Sequence, residues 1–169
     1  STALLVASAA FAGTSSYGWE DGTGTILGFF GNIGSATNVT SPVNTGNNAL
    51  WLVEDPIGGT PQAYVAFIEG LHTGDIIDGT FWAYDDTPGG SPSGRIWAHY
   101  ALSGDVNSYD GSLSGNAAYS GDALWSPLSW TWTFDASASI SGTSDAAVIE
   151  ARIYSSSSDP TLNYLGVDD

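Results

Sequence analysis

Side chains able to carry covalent or acid–base chemistry are scarce in this chain. It has two histidines, His72 and His99, two arginines, Arg95 and Arg152, and neither lysine nor cysteine. Thiol nucleophiles, Schiff-base lysines and thiolate metal sites are thereby excluded. No G-x-S-x-G elbow, H-E-x-x-H helix or phosphate-cradling glycine loop occurs. The paired carboxylates Glu54/Asp55 and Asp85/Asp86 stand at strand ends, where two carboxyl groups could flank a glycosidic bond. Acidic strand ends are common in so acidic a chain, and the inventory as a whole points away from an enzyme. Asp105-Val106-Asn107-Ser108-Tyr109-Asp110-Gly111 has the spacing of a partial calcium loop but lacks the closing bidentate Glu. An Asx-rich turn accounts for the same residues.

The charge balance narrows the partners. Eighteen Asp and Glu against two Arg give a formal net charge of -16, so the field of the whole molecule repels a phosphate backbone or an anionic lipid surface. Nucleic acid is excluded as a partner. Hard cations are invited instead, because oxygen-ligated Ca²⁺ relieves repulsion where carboxylates and carbonyls converge. Only 12% of residues are charged while 42% are hydrophobic, a composition too apolar for a disordered acidic tail.

The elements that must position these groups are strands. From Thr25 onward short β-branched and aromatic runs alternate with Gly, Pro, Asn and Asp clusters, and no stretch keeps helical spacing over three turns. Strands are predicted at Thr25–Phe30, Ala36–Thr40, Asn48–Glu54, Gln62–Glu69, Ile76–Tyr84, Arg95–Leu102, Leu128–Phe134, Ala146–Tyr154 and Leu162–Val167. Nine strands suit an all-β, two-sheet antiparallel sandwich of jelly-roll type. Trp130, Trp132 and Phe134 alternate with Ser129, Thr131 and Thr133, which predicts that all three rings face the core. Glu150 and Arg152 share a face and are expected to pair with each other or with neighbouring strands, and His72, next to the Gly74-Asp75 turn, is expected to be solvated.

Three segments carry a resemblance. Tyr17-Gly18-Trp19-Glu20-Asp21-Gly22, Val43-Asn44-Thr45-Gly46-Asn47-Asn48-Ala49-Leu50-Trp51-Leu52 and Tyr164-Leu165-Gly166-Val167-Asp168-Asp169 are similar to galactose-binding-like jelly rolls, a group that includes several carbohydrate-binding module families. The resemblance implies a structural calcium held by carboxylate oxygens of Glu20 and Asp168 and by an oxygen of Asn47. It also implies a glycan platform in which Trp82, Tyr84 and Trp97 stack while Arg95, His99 and Gln62 form a hydrogen-bonding rim; the same rings could instead fill the core of the sandwich. The chain departs from the pattern by stopping at Asp169, which predicts a shortened last strand.

The first residues divide two functions. Ser1–Ala12 is apolar and closes on Ala10-Phe11-Ala12, as the end of a secretory signal does; it is too short to span a bilayer. It is either a signal remnant or a retained strand. Retained, residues 1–16 would form a donor strand and hinge ahead of a sandwich of residues 17–169, with Leu4, Leu5, Val6 and Phe11 anchoring in a neighbouring copy. The chain would then be a secreted, non-enzymatic subunit of a calcium-stabilised extracellular filament or tubule. The alternative is a carbohydrate-binding module that takes a glycan on an aromatic face. Asn38-Val39-Thr40 fits an N-glycosylation acceptor.

Overall fold

The computed structural model describes residues 13–87, 91–121, 124–155 and 159–169. Their strands in chain order are β1 (Gly28–Phe30), β2 (Ile33–Val39), β3 (Ala49–Glu54), β4 (Gln62–Glu69), β5 (Ile76–Asp85), β6 (Ser93–Ala101), β7 (Ser112–Gly115), β8 (Leu124–Thr133), β9 (Ala146–Tyr154) and β10 (Tyr164–Asp168). One 3-10 turn, Ala136–Ala138, is capped by the Asp135 carboxylate, which accepts from the Ser137 N–H. Among the described residues no helix is long and apolar enough to cross a membrane.

The strands form two five-stranded sheets, β1-β4-β9-β6-β7 and β2-β3-β10-β5-β8. Their pairings are antiparallel. This is the two-sheet β-sandwich expected from the alternating pattern. Leu50 and Leu52 of β3, Phe81 and Ala83 of β5, Ile96 and Ala98 of β6, Ala147, Ile149, Ala151 and Ile153 of β9, and Leu165 and Val167 of β10 meet in one buried core. The intervening residues of each strand therefore stand on the outer faces. Strand β9 reads apolar on both faces because it is the middle strand of its sheet and its outer face is also partly covered, by Tyr64, Phe67 and Val106.

Four expectations change. Strand β10 is not left at an open end: it lies between β3 and β5 and pairs with both. Strand β7 was not predicted, since Ser112-Leu113-Ser114-Gly115 has none of the branched or aromatic residues that mark a strand. Strand β8 begins at Leu124, four residues earlier than expected, and stays in register with β5 through Pro127. Its edge position explains this, because a proline there costs no ladder bond on the solvent side.

The fourth change is Trp130. Trp132 and Phe134 are buried at 2% and 0% exposure, whereas Trp130 is 40% exposed. It has the inward parity but sits on the edge strand of its sheet and lines a groove with Asp78, Thr80, Asn116 and Ser129. Trp132 takes the interior space: its ring covers Gly79, where a Cβ would come within 2.9 Å of it, and its Nε1 donates to the Ser114 carbonyl at 3.0 Å.

The donor-strand residues Leu4, Leu5, Val6 and Phe11 lie outside the described residues. Asp105 accepts from the Asn107 N–H at 3.0 Å, the Asx turn that the loop composition allowed.

Candidate functional site

Three strands of the first sheet bring a mixed aromatic and charged surface together on its outer face. Across β4, β9 and β6 the register places Gln62, Arg152 and Arg95 in one row, Tyr64, Glu150 and Trp97 in the next, and Phe67, Val148 and His99 in the third. A bulge in β4 between Tyr64 and Ala66 restores this alignment, so Tyr64 and Phe67 share a face although three residues apart.

Charge on this surface is organised around Glu150, which is fully buried. Its Oε2 accepts from Arg152 Nε at 2.7 Å and its Oε1 lies 2.6 Å from His99 Nδ1. The expected Glu150–Arg152 pair thus extends to a third residue. The other ring nitrogen, His99 Nε2, is buried without a hydrogen-bond partner. The Tyr64 ring meets the imidazole edge-on at 5.0 Å and the half-exposed Tyr109 ring lies 5.4 Å from it. Burial, followed by the Glu150 charge, holds the Tyr64 phenol above its ordinary pKa.

Aromatic rings hold the two arginines. The Arg152 guanidinium carbon is 4.4 Å from the Trp97 ring centroid, and Trp97 Nε1 donates to Ser112 Oγ at 2.9 Å. The Arg95 guanidinium lies 3.7 Å over the Tyr119 ring and 4.9 Å from that of Tyr154. Such a strip offers flat apolar faces beside fixed donors and acceptors, the two things a sugar ring needs for its C–H face and its hydroxyls.

The predicted glycan set does not stay together. Arg95, Trp97 and His99 are on this surface with Gln62, but Trp82 and Tyr84 belong to β5 and point out from the opposite sheet. There Tyr84 packs with Trp51 at 5.8 Å and Trp125 at 5.4 Å, and Trp51 stacks on Tyr164 at 4.8 Å. Gly166 leaves room for those rings, since a Cβ there would stand 2.8 Å from Tyr84 and 3.0 Å from Trp51. Alternation by itself cannot say which sheet a strand joins. Tyr64 and Tyr154 are strand residues whose facing was legible; Tyr119, from a loop, carried no sequence signal.

Two of the residues implied as calcium ligands, Glu20 and Asp168, bond to the same loop, and among the described residues no group of three His, Cys, Asp or Glu side chains is placed to hold a metal ion. Glu20 accepts from the backbone N–H groups of Asn47 and Asn48 at 3.0 and 3.1 Å, and Asp168 accepts from those of Asn44 and Thr45 at 2.8 and 3.0 Å. These bonds, Asn47's first, hold the Glu20 carboxyl below its ordinary pKa. Gly46 is required here: its φ is +61°, and a Cβ would strike the Glu20 carboxylate. Asn38 is occupied nearby, its side-chain amide donating to the Trp19 carbonyl at 3.1 Å.

The paired carboxylates serve the loops. Glu54 accepts from the Gly58 N–H at 2.7 Å and from Ser155 Oγ, and Asp85 from the Thr87 N–H at 2.9 Å. His72 is solvated, with its side chain 87% exposed.

No family model and no curated protein matches this sequence. Among solved structures, the CBM22-1 xylan-binding domain of Xyn10C from Paenibacillus barcinonensis superposes with a TM-score of 0.56 at 17% identity, covering 95% of this chain and 94% of that one. The tandem CBM22-1-CBM22-2 domain of the same protein gives a TM-score of 0.59 at 16% identity; the match covers 96% of this chain and 46% of the tandem. A cleaved adhesin domain of Lys-gingipain from Porphyromonas gingivalis gives 0.52 at 13% identity, covering 92% and 95%. The chain therefore shares the β-sandwich of carbohydrate-binding modules, and at these identities the likeness is one of fold.

Proposed function

We propose that this domain is a non-enzymatic carbohydrate-binding module acting outside the cell or at its surface, and that it takes a glycan along the outer face of β4, β9 and β6. The observation that carries the reading is the buried Arg152–Glu150–His99 chain. A sheet face needs no charges to pack, yet this one carries an ionic network, a histidine nitrogen without a partner and three aromatic side chains, Tyr64, Tyr109 and Trp97, against them. Half-buried Trp97 and the exposed Tyr109 and Tyr119 rings supply stacking faces and Gln62 and Arg95 supply hydrogen-bonding groups, while the buried Glu150, His99 and Tyr64 hold that surface in place from beneath. The neighbours described as xylan-binding support xylan as the first ligand to try.

Affinity electrophoresis through gels containing soluble xylan tests the proposal. Retardation of the wild-type protein, lost in a folded Trp97→Ala variant, is expected. Equal mobility with and without polysaccharide across a panel of soluble glycans overturns it. Self-assembly through residues 1–12 draws no support from the described residues, whose last strand is paired on both sides.

The proposal includes a calcium ion at the Asn44–Asn48 loop. Two carboxylates reach this loop from opposite ends of the chain, and Glu20 Oε2 and Asp168 Oδ1, which accept one N–H each, from Asn47 and Asp169, keep a second lone pair for a cation. Glu20, Asp168 and an oxygen of Asn47 would hold the ion, and its charge would pin the first segment, the loop and β10 to one another.

A further inference from the structure

In 169 residues only two side chains carry a permanent positive charge, and the fold places them directly opposite each other, Arg95 of β6 against Arg152 of β9. Like charges in register on one sheet face are destabilising. In a chain with 18 carboxylates the cheaper arrangement would give each arginine its own acidic partner. Arg152 has one, Glu150. Arg95 has no carboxylate within 4.0 Å among the described residues, and its Nε–H is buried without an acceptor.

What surrounds Arg95 instead is aromatic. Tyr119 and Tyr154 cover its guanidinium, Tyr119 from 3.7 Å while itself 51% exposed. Ring stacking occupies the faces of a guanidinium and leaves the N–H donors in its plane, the fork that matches a carboxylate. Taken with Arg152 and Glu150, the strip keeps one positive charge over among the described residues, in a molecule whose net charge is -16.

We infer that Arg95, with Arg152 beside it, receives a carboxylate carried by the glycan, so that the ligand is a neutral polysaccharide bearing isolated uronic acid substituents. The inference deepens the glycan-binding proposal and rests on it. A polyuronate is excluded by the same charge count, because a run of carboxylates meets the repulsion of the whole protein, whereas a single one is governed by the cation it touches. At physiological salt the screening length is about 8 Å, short enough to separate those two cases.

The experiment is calorimetric titration of the full chain with a xylo-oligosaccharide carrying one glucuronic acid, and with its carboxyl-reduced form, which has the same size and no charge. The acidic form is expected to bind about tenfold more tightly, the order of one charge-assisted bidentate contact, and the ratio should fall to about one in Arg95→Gln. Equal affinity of the wild-type protein for the two forms overturns the inference and leaves the glycan reading standing. So does an unchanged ratio in Arg95→Gln. Binding of neither form by protein with a wild-type melting curve overturns both. The comparison of the two ligands needs no variant, so it holds even if the substitution destabilises the domain.

Discussion

Replacing Glu150 by Ala should be among the most damaging single changes in this protein. The carboxylate is fully buried and answers two partners at 2.6 and 2.7 Å. Its removal leaves the 16%-exposed Arg152 side chain and the 1%-exposed His99 side chain without their acceptor. Breaking a buried pair by deleting one member costs about 3–5 kcal/mol, most of it the penalty of the stranded charge. With a urea m-value of about 2 kcal/mol/M, that is a fall of roughly 2 M in the unfolding midpoint. Urea titration followed by tryptophan fluorescence and by far-UV circular dichroism measures it, and coincidence of the two curves tests two-state behaviour. A second variant, Arg152→Ala, and the double variant complete a cycle. Because Glu150 and Arg152 touch, their effects should not add, and the coupling should be about 1.5–3 kcal/mol. A Glu150→Ala midpoint within about 0.5 M of wild type, or additivity in the cycle, would refute the reading of this chain of contacts as one coupled unit.

Other outcomes follow from the same geometry. Trp132→Ala should cost about 3–5 kcal/mol, since its ring is 2% exposed and fills the space over Gly79, while the 40%-exposed Trp130 should cost clearly less when truncated; equal melting temperatures would contradict the edge position of Trp130. Asp110 is held down to a pKa of about 2 by hydrogen bonds from Ser141 first and then Ser144. A depressed folded pKa stabilises above the unfolded value near 4 and is lost as pH falls towards 2, so Asp110→Asn should be less stable than wild type at neutral pH and converge with it in that acid window, as pH-dependent melting would show. A chelator should lower the melting temperature if calcium is bound, with a linkage of about 2.7 kcal/mol at a hundredfold excess over the dissociation constant; an unchanged curve removes the ion from the Asn44–Asn48 loop.

The amino-acid sequence determined what repeats along the chain. Alternation along Ala49–Glu54, Gln62–Glu69 and Ala146–Tyr154 was enough to set strand type, most boundaries and the sandwich class, because side-chain parity is a local property of an extended backbone. The charge balance narrowed the classes of partner, and the i,i+2 spacing of Glu150 and Arg152 put them on one face, with their mutual contact one of two arrangements it allowed. Residue order alone left undecided which strands become neighbours. Trp82 and Tyr84 read as companions of Trp97, yet β5 and β6 enter different sheets, and the chain between them crosses from one layer to the other. Parity likewise sent Trp130 inward, and only the edge position of β8 leaves it half in water. The chemistry of the site depends on contacts distant in sequence: His99 reaches Glu150 across 51 residues, and Tyr119 folds from a loop onto Arg95. Such contacts are set by strand order and by loop paths over the sheet, which are properties of the packed whole and not of any local run of residues.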